Sequence, residues 1–61
     1  SNKNMGNYAK GLNYNFQALK IREEINDVRG ISKSYSNIGL ILKRQGKYDE
    51  ALYNYDKALN L

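Results

Sequence analysis

The chain echoes itself at a distance of forty residues, and that echo narrows the folds open to it more than any other feature. Gly6-Asn7-Tyr8-Ala9-Lys10-Gly11-Leu12 lies over Gly46-Lys47-Tyr48-Asp49-Glu50-Ala51-Leu52, matching a glycine, a tyrosine, a small residue and a leucine. Further along, Ala18-Leu19-Lys20-Ile21 falls on Ala58-Leu59-Asn60-Leu61. Five of the sixteen aligned positions are identical, where unrelated segments would share about one, and a period of roughly 40 residues marks a helical solenoid.

The segments between the punctuation marks carry helical spacing. Tyr8, Leu12, Phe16, Leu19 and Ile25 recur mostly at three- and four-residue intervals, and Ile31, Tyr35, Ile38 and Leu42 do the same. Leu52, Tyr55 and Leu59, joined by Ala51 and Ala58, trace a third face. Strict alternation, the strand signal, is not sustained anywhere. The sequence therefore predicts an all-α chain of three helices, about 7–25, 28–45 and 48–61.

The breaks agree. Asn26-Asp27 separates the first two segments, and Asp27 is a good N-cap for the second helix. Gly46 follows the basic turn Lys43-Arg44-Gln45 and reads as a left-handed helix end. Asp49 and Glu50 then fall in the first turn of the third helix, where negative charge is stabilised. A link this short around Gly46 forces the second and third helices to lie antiparallel. Gly39, inside an apolar helix, costs about 1 kcal/mol against alanine; a close helix crossing accounts for it, as it does for Gly11, which occupies the place of Ala51. Gly30 falls in a first turn, where fraying lowers its cost.

Composition excludes several functional classes. A chain of 61 residues buries only about 60% of its unfolded surface, and it has no cysteine for a disulfide and no histidine or cysteine cluster for a metal. Histidine and cysteine are also absent as base or nucleophile, and Ser32, Ser34 and Ser36 read as polar helix positions without a neighbouring general base. Glu23 and Glu24 are adjacent, point about 100° apart on a helix and read as a solvated face. No glycine loop suited to phosphate is present. The chain is expected to be non-catalytic and to need no cofactor. Its longest apolar run, Ile38-Gly39-Leu40-Ile41-Leu42, is far short of the roughly 20 residues of a membrane span. Along the sequence the basic residues look scattered apart from Lys43, Arg44 and Lys47, which weighs against nucleic acid. Absence of cysteine fits a cytoplasmic location. Ser1-Asn2 resembles the remnant of a cleaved expression tag.

Tyr35-x-x-Ile38-Gly39-x-x-Leu42, then Gly46-x-Tyr48-x-x-Ala51-x-x-x-Tyr55-x-x-Ala58, closely resembles the tetratricopeptide repeat. The match covers residues 32–61, and residues 20–31 resemble the longer, roughly 40-residue variant common in bacterial regulatory proteins and kinesin light chains. Residues 3–26 then look like the end of one repeat with its second helix, and 27–61 like a full helix-turn-helix repeat. Leu42 stands where the family often has tyrosine, and Asn15 stands where Tyr55 stands in the next repeat.

The resemblance implies a protein-interaction scaffold in a larger regulatory protein, with the second helix lining a groove for a peptide or partner helix. Tyr35, Ile38, Gly39 and Leu42 are then committed to the third helix. Lys33, Asn37, Leu40 and Arg44 map to groove-lining positions, where an asparagine at the place of Asn37 often bonds a peptide backbone. By spacing alone these four follow i, i+4, i+7, i+11 and form one stripe, suited to an acidic or C-terminal peptide. A merely solvated helix face has the same spacing, and a self-assembling segment without a groove is the alternative function. The first helix lacks a preceding helix and Leu61 a following one, so apolar surface is expected to stay open and the fragment to self-associate.

Overall fold

The computed structural model describes the backbone of residues 2–61 and the side chains from Gly6 onward. It contains three helices, α1 (Asn2–Glu24), α2 (Val28–Arg44) and α3 (Tyr48–Leu59), with no strand among the described residues. The helix starts and stops follow from specific residues. The Asp27 carboxylate accepts the Gly30 N–H at 3.0 Å and caps α2, satisfying one of the free donors of a helix N-terminus. Asp49 and Glu50 occupy the first turn of α3, as the sequence predicts.

The two interhelical turns are copies of one another. Gly46, at φ +80°, donates to the Lys43 carbonyl at 2.9 Å while Lys47 donates to the Leu42 carbonyl at 2.9 Å. Asn26, at φ +57°, donates to Glu23 at 3.2 Å while Asp27 donates to Arg22 at 2.9 Å. Both are Schellman closures, with a left-handed residue at the first position beyond the helix. Asparagine serves at Asn26 because it is among the few non-glycine residues that tolerate that conformation.

Four boundaries differ from expectation. α1 begins at Asn2 rather than near residue 7, and Gly6 is helical with no positive φ. Asn2 thus belongs to the fold, whereas Ser1 lies outside the described residues. At their C-termini α1, α2 and α3 end one or two residues early, because Ile25, Gln45 and Asn60 serve as the residues on which the helices close.

α2 packs on both neighbours, while among the described residues α1 and α3 do not pack on each other. The Cα envelope is 37 × 20 × 11 Å. Two interaxial spacings of about 8–10 Å span the middle dimension, so the helices lie side by side in one curved layer. Its core is small: Leu19, Ile38, Leu42 and Ala51 are buried, with Leu12, Ile31, Tyr35 and Tyr55 packed against them. Gly39 faces α3, where an added Cβ would stand 3.0 Å from the Tyr55 ring and 3.2 Å from the Ala51 carbonyl oxygen. Gly11 faces α2, with Ile41 Cδ1 3.0 Å from such a Cβ. Both glycines are therefore crossing points, as their sequence positions suggest. Gly39→Val should cost about 1–3 kcal/mol, because a β-branched side chain must push α3 away or leave its rotamer; chemical denaturation reads it, and an unchanged midpoint would contradict the crossing.

Several face assignments change. Phe16, Ile25, Leu52 and Leu59 share the helical spacing of core residues but are exposed. A single layer explains this, since each outer helix buries only the side turned toward α2. Gly30 is not a frayed position either: it is buried, and a Cβ there would collide with the Asp27 carboxylate and lie 2.9 Å from Arg22 Cδ. Ser34, expected to be a polar surface position, is fully buried and accepts from Arg22 Nη1 at 2.7 Å. The same Nη1 reaches the Gly30 carbonyl at 3.2 Å, so one guanidinium fastens the end of α1 to the start of α2.

Candidate interaction surface on the second helix

The exposed side of α2 is fixed by what its other sides bury. Gly30, Ser34 and Ile41 turn toward α1, where Arg22 and Gly11 meet them, and Gly39 turns toward α3. Ser32 is held on the α3 side by its hydroxyl, which donates to the Ala58 carbonyl at 3.0 Å. With about 100° per residue, the positions left over are Arg29, Lys33, Asn37, Leu40 and Arg44, all of them exposed. The four residues singled out by sequence thus lie on one open face. Arg29 extends the stripe by a further turn, and the same four-residue step that joins Lys33 to Asn37 also reaches it.

Two side chains in this stripe have defined surroundings. Asn37 Nδ2 donates to Asn15 Oδ1 on α1 at 3.2 Å, and Asn15 Nδ2 in turn donates to the Gly11 carbonyl at 2.8 Å. The asparagine at the place of an aromatic residue is therefore used: it orients Asn37 and leaves the Asn37 carbonyl oxygen and second amide proton facing outward. Lys33 and Arg29 flank a hollow of about 460 Å³ at the α1–α2 turn, which Arg22 and Ser32 also line. Leu40 is the apolar member of the stripe, 38% exposed.

Charge is sorted by helix. The chain carries ten basic and six acidic residues, net +4. α2 has Arg29, Lys33, Lys43 and Arg44 and no acidic residue, so the other six basic residues balance all six acidic ones. By helix the charge is +2 on α1, +4 on α2 and −2 on α3, so α2 is the most basic of the three and the one without an acidic residue. Read along the sequence, those residues look scattered; the usable signal is that no acidic residue falls between Asp27 and Asp49.

On the opposite side of the layer, Leu12, Phe16, Tyr35 and Tyr53 line a cleft of about 570 Å³ between α1 and α3. Lys57 Nζ stands at its edge, 5.9 Å from the Tyr35 ring centroid and 5.5 Å from that of Tyr53. Cations at this distance are attracted to the ring faces, so Lys57 ties α3 to α2 across the cleft. Among the described residues no group of acidic, histidine or cysteine side chains could hold a metal ion, and no helix is long and apolar enough to cross a membrane.

The family model for the tetratricopeptide repeat matches residues 2–61. The chain belongs to the tetratricopeptide repeat family. Comparison with curated proteins and with solved structures returned no match. Tetratricopeptide repeats are generally non-catalytic scaffolds that bind protein partners, and the antiparallel α2–α3 hairpin is the unit of such an array.

Proposed function

We propose that this chain is a non-catalytic scaffold segment whose α2 face receives an extended acidic segment of a partner protein. The observation that carries the reading is that α2 holds four basic residues and no acidic one. Arg29, Lys33 and Arg44 supply a one-signed potential over the face, which steers acidic partners and disfavours basic ones. Asn37, turned by Asn15, offers an acceptor and a donor to a peptide backbone, and Leu40 gives an apolar contact between the charged ends.

The test uses the full chain and a labelled Asp/Glu-rich peptide, with a Gln/Asn-rich peptide and a single-stranded oligonucleotide as controls, read by fluorescence anisotropy. Expected is binding of the acidic peptide that weakens as salt rises. Lys33→Glu combined with Arg44→Glu should weaken it about tenfold or more, each reversal changing an exposed pair from attraction to repulsion. Equal binding of acidic and neutral peptides, or preference for the oligonucleotide, would overturn the reading.

A second reading, self-association of the chain, is favoured by a different observation. Among the described residues, four buried hydrophobic residues stand against eleven large hydrophobics left exposed, a ratio that suits a subunit better than a free monomer.

A further inference from the structure

The hollow at the α1–α2 turn brings cations from both helices to one place. Arg22, near the end of α1, and Arg29 and Lys33, in the first two turns of α2, line its 460 Å³ together with Asp27 and Ser32. Three cations against one carboxylate leave the hollow at +2. That carboxylate is turned toward the helix backbone, where Asp27 Oδ1 accepts the Gly30 N–H at 3.0 Å.

Arg22 is held in place by the fold itself. Its Nη1 donates to Ser34 Oγ at 2.7 Å and to the Gly30 carbonyl at 3.2 Å. A guanidinium has five N–H donors in a rigid fork, so those two bonds leave the donors of Nη2 and Nε unspent. The cost of ordering this side chain therefore falls on folding and not on binding. Ser32 offers an anion nothing, because its single hydroxyl proton goes to the Ala58 carbonyl at 3.0 Å. Recognition in the hollow belongs to the three cations.

Charge density decides which anion suits them. Along an extended peptide successive side chains point to opposite faces, and those on one face stand about 7 Å apart. Carboxylates thus reach a single hollow one at a time, each with one charge. A phosphate monoester puts nearly two negative charges and three acceptor oxygens on one side chain, and the arginine fork matches phosphate bidentately. Beyond the hollow, Leu40 lies seven residues past Lys33, about 10 Å along the helix, a distance that about three extended residues span. We infer that the hollow seats a phosphate group carried by the partner's acidic segment, held by Arg22, Arg29 and Lys33, with an apolar side chain about three residues away resting on Leu40. This rests on the reading of α2 as the face for an acidic segment, and adds to it the modification that the partner carries.

Fluorescence anisotropy of the full chain with three labelled peptides tests the seat separately from the face. All three share an acidic stretch and a leucine three residues from a central serine. The serine is free in the first and phosphorylated in the second, and the third carries added carboxylates that bring its net charge to that of the second. Expected is binding of the phosphopeptide about fivefold or more tighter than of the equal-charge peptide. Arg29→Gln and Lys33→Gln, both at exposed positions, should each remove most of that preference while circular dichroism shows helix content unchanged. Arg44→Gln should weaken both peptides and leave the preference intact. Inorganic phosphate should displace the phosphopeptide only at concentrations on the order of 1 mM or above, because a free ion reaches none of the remaining stripe. Equal binding of the phosphorylated and equal-charge peptides would overturn the phosphate seat and leave the acidic-segment reading standing. Binding of none of the three would overturn both. A preference that survives both glutamine variants would overturn the location. Inorganic phosphate that binds as tightly as the phosphopeptide, or a single-stranded oligonucleotide that binds more tightly, would overturn a phosphate borne by a protein partner.

Discussion

Ile38→Ala should unfold the chain at room temperature. Among the described residues Ile38 is the one large apolar side chain with no exposure, at 0%, and it lies in a buried cluster with Leu19, Leu42 and Ala51. Truncating a buried isoleucine removes its transfer free energy and leaves a cavity, together about 2–5 kcal/mol. A chain below about 70 residues without disulfides rarely holds more than about 3–5 kcal/mol in its core. The loss is therefore comparable with everything the fold has. Relaxation offers little relief, because Ile38 sits on the central helix and both flanking helices are already in contact with α2. Leu59→Ala removes a similar volume from a residue 84% exposed and should stay within about 0.5 kcal/mol in the monomer. Far-UV circular dichroism of the two variants at low concentration compares them directly. A cooperative, fully helical Ile38→Ala variant would mean that the stability lies elsewhere than in this cluster.

The same contrast shows how far the fold is written locally. Helix number, antiparallel direction and the crossings at Gly11 and Gly39 follow from spacing and from small residues at repeat positions, because those signals depend on the chain's own backbone geometry. Asp27 and Gly46 likewise declare the breaks by chemistry that only helix ends require. What spacing does not declare is which apolar residues find a partner. Leu19 and Leu59 occupy equivalent positions, yet one is buried and the other open, since α1 has α2 beside it on that face and α3 does not. Periodicity reports a face, and burial reports a neighbour. The stripe Lys33–Asn37–Leu40–Arg44 was legible for the same reason as the helices, whereas Arg29 joins it only in the structure, and the basic character of α2 became visible only when the basic residues were divided by helix. Two features gave no pattern to read. Asn26 takes the left-handed position that glycine holds at the next turn, and Asn15 exchanges an aromatic contact for a hydrogen bond to Asn37. Both are single-residue solutions to contacts made across helices.

Arg22→Met should be the most costly change away from the apolar core, and Ser34→Ala should repair much of it. Arg22 Nη1 is within 2.7 Å of Ser34 Oγ and 3.2 Å of the Gly30 carbonyl. Ser34 is 0% exposed and Gly30 is buried. Methionine keeps most of the aliphatic stem but removes the donor, leaving the buried Ser34 hydroxyl without its partner, while the Gly30 carbonyl keeps its bond within α2. Each unsatisfied group of this kind costs about 1–3 kcal/mol, which this small core cannot absorb without loss of most of its stability. The asymmetry between removing one partner and removing both then decides the second variant. With alanine at position 34 the hydroxyl is gone, the small side chain still fits against α1, and the Gly30 carbonyl keeps its helical bond from the position 34 N–H. The double variant should therefore be more stable than Arg22→Met alone by about 1 kcal/mol or more, a coupling of the size seen for residues in direct contact. Chemical denaturation of the four proteins in the cycle measures it. Strict additivity would show that Arg22 acts on α2 through its stem or its charge, and that the hydrogen bond to Ser34 does not hold the α1–α2 turn together.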